Sequence, residues 1–516
     1  MGNRGEFYRK LRDKVFGWVR PGQKERVAPI EQAERPRKAP SGEAGIRAIP
    51  SSTLESWQIG FDFGTCFCKV AYRDVVVDKA RVYIPDAQEH GELPFLIPSA
   101  VAFDGRMLRP SREIAAHYVD GRLCHLKLAL EQVALGNYGA AVLQPFREVL
   151  SPRTADDLAS FVKASTIYLL GGILGNVRRQ ILRHGLSSSS GPAPESHASV
   201  NMAIPVADAQ RPIVRDAYHA SLQTAWGLAD TLAGHPAMEL LELTRLIERT
   251  RSSMNPRVCG ACFVYPEVFA SIQVFVRSRS SLPGFYLFSD TGAGTVDQCI
   301  CHFIRHDANP HTMYYPGPMK DNARYDAMLE CIRKGQNYLR AYSAAVLPLG
   351  SAQIESLAAG QVPRDRRPRE LERWRRLKES NSNDPRLQEA RQQIARKLKD
   401  ATHETVLAAR CKGWRTAELG PIRIVFGGGG HCRDPYANAV RASIPGAKEV
   451  GLPHPSDLDL RGEKERWMTR LAVAYGLSFQ KEELAKFTYP DELRDRPRPG
   501  AIASENRWSS DSWGHW

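Results

Sequence analysis

The sequence predicts an α/β protein in which two related lobes face one cleft, and three stretches predict it. The first is Ile59–Tyr72, "IGFDFGTCFCKVAY", a short apolar strand that ends in Asp62, turns at Gly64 and Thr65, and restarts as an alternating second strand. The second is Tyr286–Phe303, "YLFSDTGAGTVDQCICHF", which repeats the design with Asp290, Gly292 and Thr295 and has two extra loop residues before its threonine. Positions 62 and 290 are too far apart for a solenoid repeat and suitably spaced for two related domains. The third is Ile422–Gly430, "IRIVFGGGG", followed by "HCRDPYANAVRASIP", a strand that runs through four glycines into a helix.

Each element has a chemical reason. Gly292 and Gly294 permit the positive φ angles of a tight turn, and without Cβ atoms their backbone N–H groups can approach an anion. Asp290, Thr295 and Asp297 add two carboxylates and a hydroxyl, which suits a hydrated divalent cation beside phosphate. Two such hairpins would clamp one phosphate chain from both sides.

The 516 residues, 42% of them hydrophobic, suffice for two or more cores. No stretch reaches the roughly 18 consecutive apolar residues of a membrane span, and the charged N-terminus has no apolar signal-peptide core, so a cytoplasmic protein without a transmembrane segment is expected. Ten cysteines, among them the pairs Cys66/Cys68, Cys259/Cys262 and Cys299/Cys301, are then expected to be reduced thiols. Cys259 and Cys262 have the spacing of a zinc knuckle, but no second pair stands at a matching distance.

The net charge of +14 is uneven. Residues 1–40 contain eleven basic and five acidic side chains, and "FYRKLRDKVFGWV" places Phe7, Leu11, Val15 and Val19 at helical spacing among basic residues. Such a segment fits an acidic protein partner, a nucleic acid or a membrane surface, and equally a solvated tail. From Arg364 to Arg376 stand seven arginines, opening a polar, helix-favouring region that extends to about Leu407; they either track phosphates or form an exposed helix face partly neutralised by Glu370 and Glu372.

Together these motifs resemble the nucleotide-binding domain of the DnaK-type heat-shock chaperones, within the actin-like ATPase superfamily. "IGFDFGTCFCKVAY" is similar to the family's first phosphate loop, "YLFSDTGAGTVD" to its second and "IVFGGGGHCRDP" to its adenosine loop. "LPFLIPSAVAFDGRMLRPSREIAAHYVDGRLCHLKLAL" follows the order of the segment that ends in the family's catalytic lysine, here Lys127. "VNMAIPVADAQRPIVRDAYHASLQTAWGL" and, near the end, "RLAVAYGLSFQ" resemble later family segments, so the likeness runs from about Trp57 to Gln480.

The resemblance implies two duplicated ribonuclease H-like lobes, 57–285 and 286–480, with a helical insertion in the second at about 320–415, after a basic extension over 1–56 and before a polar tail over 481–516. It implies ATP or ADP with Mg²⁺ as cofactors. Backbone amides around Gly64–Cys66 and Gly292–Thr295, including Ala293 and Gly294, would cradle phosphates, with the Thr65 and Thr295 hydroxyls as further donors. Asp62 and Asp290 would hold Mg²⁺ through its waters. Lys127 would place positive charge on the departing phosphoryl group, and Asp297 would orient or deprotonate the attacking water. Gly428, Gly429 and Gly430 would pass against the nucleoside, Arg433 would stack on the base, and Lys378 matches the family's base-binding helix.

Two departures qualify this. Where the family has Glu-Pro before the second hairpin, this chain reads "FVYPEVFASIQ": Tyr265 stands at the glutamate's place, Pro266 is retained, and Glu267 substitutes only if the loop shifts. Loss of that acceptor would slow hydrolysis while leaving ATP binding intact. After Gln480 too little chain remains for a substrate-binding β-sandwich and lid. The expectation is therefore a Mg-dependent, slowly hydrolysing ATPase that works as a chaperone-like switch on a protein partner, such as a co-encoded protein. The alternative is a non-hydrolysing ATP-binding scaffold attached to nucleic acid or a larger assembly through its basic segments.

Overall fold

A computed structural model describes residues 56–493, apart from positions 86–92, 112–120, 153, 186–196, 206–208, 234, 236, 255, 279, 306–336, 361, 363–365, 380–382, 413–421, 432–434 and 461–464. The basic extension, Arg433 and the part of the tail beyond position 493 lie outside the described residues.

The architecture is mixed α/β and rests on two larger sheets with one plan. The first runs Cys262–Pro266, His197–Ile204, Ser56–Phe63, Phe67–Asp74, Lys79–Val82, Leu458–Asp459, with Ile97–Pro98 pairing to one side. The second runs Lys448–Glu449, Arg423–Gly427, Gly284–Thr291, Val296–Ile304, Tyr338–Leu347, Lys486–Thr488. In each, three consecutive strands pair antiparallel, two parallel strands flank the first of them, and a short parallel strand closes the other edge. The strand order is the same in both sheets, so the repeat read from the two Asp-Gly hairpins extends to whole sheets. A four-stranded antiparallel sheet of Arg122–Cys124, Ala100–Phe103, Met107–Pro110 and Met238–Glu239 stands apart.

Both faces of each large sheet are covered, which explains why Val296–Ile304 is buried along its whole length instead of alternating. Ile59, Phe61 and Phe63 pack outward against the helices Leu126–Ala134, Ala155–Gly185 and Pro212–Gly227. Phe285, Leu287 and Ile300 pack outward against Gln353–Ala359, Arg367–Glu379, Pro385–Cys411 and Tyr436–Ser443. The helices Glu267–Arg277 and Glu465–Leu477 fill the layer between the sheets, against Tyr286, Phe288, Cys299 and Cys301 of the second and Ala203 of the first.

This middle layer is thin because glycines make it so. A Cβ on Gly60 would run into the Ala474 carbonyl, and one on Gly476 into the Ala270 carbonyl. The Asn201 amide donates to the carbonyls of Leu477 and Phe479, each at 2.9 Å, and fixes the end of the helix. One described helix, Ala155–Arg183, is long and apolar enough to cross a membrane, but 83% of its apolar window is buried inside the protein, as in a core helix.

Several sequence boundaries need correction. Tyr338–Leu347, placed within a helical insertion, is a core strand of the second sheet; only the helices that follow it lie on the outside. Lys486–Thr488, assigned to a polar tail, pairs with Tyr338–Leu347, and Phe487 packs edge-on against Phe269. Leu458–Asp459 returns to the first sheet, so the chain does not divide cleanly at 285. In the arginine-rich helix Arg367–Glu379, Trp374 is fully buried, while Arg373 pairs with Glu370 and Arg376 with Glu372.

Gly476→Ala should therefore lower stability by roughly 1–3 kcal/mol through overpacking. Gly172→Ala, at a helical glycine with nothing near a new Cβ, should raise it by about 0.5–1 kcal/mol through helix propensity. Denaturant unfolding of both variants checks the pair; equal effects would contradict the close helix packing.

Candidate functional site

The two hairpin turns meet. A Cβ on Gly294 would lie 2.9 Å from the Thr65 methyl, so the tip of the second hairpin rests on the first. Neither Gly292 nor Gly294 adopts the left-handed conformation expected of it; close approach is what requires glycine at 294. The Gly292 N–H donates to the Thr295 carbonyl at 2.9 Å, so it closes the turn and is not directed at a ligand. Gly428 does adopt a positive φ, +75°, and a Cβ at 427 or 428 would collide with the Asp290 carboxylate. The N–H of Gly430 donates to the Thr291 carbonyl and that of Gly428 to the Thr469 carbonyl, each at 2.9 Å, which ties the glycine turn to the second hairpin and the middle-layer helix.

Around these turns opens a cavity of about 460 Å³. Of the residues expected from the sequence, Asp62, Gly64, Thr65, Cys66, Lys127, Glu267, Asp290, Gly292, Ala293, Thr295, Asp297, Gly428, Gly429 and Gly430 line it. Gly294 sits at the contact between the hairpins. Lys378 belongs to the helix Arg367–Glu379 on the outer face of the second sheet, and its side chain lies outside the described residues.

Lys127 sits in the first turn of the helix Leu126–Ala134, which starts after a left-handed His125 at φ +58°. Its carbonyl accepts from the Tyr218 hydroxyl at 2.8 Å, and its ammonium donates to Glu267. Glu267 opens the middle-layer helix Glu267–Arg277 and enters the cleft without any loop shift. Tyr265 instead stacks on Phe269, with ring centroids 5.7 Å apart, and packs into the core of the middle layer. Glu267, and not Tyr265, thus presents its carboxylate to the cleft.

Sequence reasoning missed Lys69, Ser351, Glu355, Thr469 and Arg470, all of which line the cavity. Lys69 could have been found: it is the cross-strand partner of Asp62 in the first hairpin, and its ammonium lies 2.6 Å from the Asp62 carboxylate.

The electrostatics are those of crowded anions. Burial lifts the pKa of Asp62, with Lys69 pulling the other way and Glu267 pushing it further up. Burial, then Glu267 and Asp62, raise Asp290 to about 7. Burial and Glu267 hold Asp297 well above the usual carboxylate range, although the Thr295 hydroxyl donates to it at 3.0 Å. Burial alone would lower Lys127, but Glu267 and Asp297 outweigh it and keep the ammonium charged. Such a set carries more negative than positive charge, although among the described residues no group of three or more His, Cys, Asp or Glu side chains is gathered closely enough to hold a metal ion by itself. No protein-family model matches the chain, and no curated protein matches it.

Asp290 has a consequence for pH. Its folded pKa lies above the ordinary 3.8, so the fold binds the proton more tightly than the unfolded chain does. Stability should fall as pH rises from about 4 to about 7 and stay reduced above that. Asp290→Asn should remove the loss, which is at most roughly 2–4 kcal/mol, and melt above wild type at pH 8 in chelator. A variant no more stable than wild type at pH 8 would contradict the buried-anion description.

Proposed function

We propose that the protein is an ATP-binding and ATP-hydrolysing nucleotide switch with an actin-like, two-lobed plan, similar to the nucleotide-binding domain of DnaK-type chaperones and acting on a protein partner. The observation that carries this reading is the repeated strand order, which brings an Asp-bearing turn from each sheet into one cavity. Asp62 and Asp290 would suit a hydrated Mg²⁺: they enter one cavity from opposite sheets, and both carboxylates are buried there.

Bound Mg-ATP would supply the scissile anhydride and the charge that neutralises the carboxylates. The chain's own residues would do the rest. Lys127 presents a fixed ammonium, aimed by Glu267 and by the hydrogen bond on its own carbonyl. Asp297, with its raised pKa, suits the acceptance of a proton from water, and Thr295 orients it. The middle-layer helices each run from the cleft to the interface between the sheets, so a ligand touching both sheets would bias their relative angle. The scaffold alternative relies on basic segments, and the described pairs Arg373–Glu370 and Arg376–Glu372 already engage part of that charge.

Asp297→Asn should lower ATP turnover by roughly 10²–10⁴-fold while changing ATP affinity only a few-fold, because its role is in the transition state. Tyr265→Phe should change neither. Steady-state hydrolysis and calorimetric titration of both variants check this; an Asp297→Asn enzyme with wild-type turnover would contradict the mechanism.

A further inference from the structure

Cys259 and Cys262 lie outside the cleft, at the start of the strand Cys262–Pro266, which is followed directly by Glu267. Two residues between cysteines suit either half of a metal site or a disulfide. A metal needs further ligands, and among the described residues no group of three or more His, Cys, Asp or Glu is gathered to supply them. Both cysteines are free thiols.

Backbone hydrogen bonds hold the pair in a tight turn. The Ala261 N–H donates to the Val258 carbonyl at 3.3 Å, and the Ala261 carbonyl accepts from the Val200 N–H at 2.7 Å, which fixes the turn to the strand His197–Ile204. The helix Pro212–Gly227 also grips it: His219 Nε2 donates to the Cys262 carbonyl at 2.9 Å, and the Gln223 amide to the Cys259 carbonyl at 3.2 Å. His219 and Gln223 stand four positions apart, one helical turn of about 5 Å. The backbone at the two cysteines is therefore held at a separation close to the roughly 4–7 Å between the Cα atoms of a disulfide. The two thiols differ in access. Cys262 is 1% exposed and packs in the core of the first sheet; burial, with Cys259 adding to it, pushes its pKa up to about 12, and that influence marks the two side chains as near neighbours. Cys259 is half-buried, and beside it Gly260 is exposed, with nothing within 4 Å of the place a Cβ would take. A small reagent therefore reaches Cys259 first, and Cys262 is the internal thiol that answers.

We propose that Cys259 and Cys262 form a thiol–disulfide site that closes a reversible disulfide by exchange with a small disulfide such as oxidised glutathione. The Cys259 thiolate attacks one sulfur of the small disulfide, whose S–S bond breaks; one small thiol leaves and a mixed disulfide forms on Cys259. Cys262 then gives up its proton and attacks the Cys259 sulfur, expelling the second small thiol. Two protein thiols are oxidised to one disulfide, and the small disulfide is reduced to two thiols that carry the two protons. The weak acidity of buried Cys262 makes the second step the slow one. The closed disulfide braces the turn at the root of the strand that hands Glu267 to the cleft.

Incubation of the folded full chain with oxidised glutathione, followed by peptide mapping in a mass spectrometer, tests it. In wild type the peptide that contains both cysteines should become lighter by two hydrogens, and dithiothreitol should restore its mass. Cys262→Ala, which keeps the core apolar, should stop at one glutathione on Cys259, and Cys259→Ser should take up glutathione at Cys262 about tenfold more slowly than wild type reacts at Cys259. Melting curves establish that the variants are folded, and the wild-type result decides by itself if one is not. An unlinked peptide from folded wild type, or linkage only after unfolding in urea, overturns the proposal, as does a Cys262 that reacts in Cys259→Ser as fast as Cys259 does in wild type.

Discussion

How closely one helix can lie between two sheets decides the rest of this structure. Glu465–Leu477 touches the first sheet at Gly60 and the neighbouring helix Glu267–Arg277 at Gly476, in both cases backbone on backbone. Side chains at either glycine would push the sheets apart, and the Asp-bearing turns would separate with them. The same helix lends Thr469, Arg470 and Val473 to the cleft wall, so the spacer is also part of the site. Its far end is held too: Phe479 lies between the guanidinium groups of Arg73 and Arg277, 3.8 and 3.6 Å from the ring centroid. Arg73, 1% exposed, is in turn anchored by Asp457 and Asp78.

Close approach of the sheets has an electrostatic consequence. Asp62, Glu267, Asp290 and Asp297 share one buried space, with Lys69 and Lys127 as near counter-charges. Removing one member of such a group leaves its partner unpaired, which is why isosteric replacements at Asp290 and Asp297 are more informative than truncations. The arrangement leaves the cleft with an excess of buried negative charge, which added positive charge would relieve.

The hairpins and the glycine turn were legible in the sequence because their information is local: an apolar run, an acidic residue and glycines at fixed spacing. Lys127 was legible only through family resemblance, since nothing local distinguishes a lysine in "HLKLAL". The place of Glu267 was only conditional in the sequence because Tyr265 stands two residues before it, whereas the strand Cys262–Pro266 ends at the proline and turns Glu267 into the cleft as the first residue of a helix. Glu355 and Arg470 gave no signal at all. Each is a charged residue on a helix, and only the packing of that helix reveals that the residue faces the cleft. The terminal strand Lys486–Thr488 was hidden for a related reason, because three residues are too few to show a period, and their partner is remote in sequence.

The central claim is that the two hairpins form one site, and Gly294 is where they touch. Calorimetric titration of Mg-ATP into wild type and into Gly294→Val measures this most directly. One binding site per chain in wild type and its loss in a variant that still melts cooperatively is the expected result. Unchanged affinity in Gly294→Val, or no binding by wild type, would contradict the account.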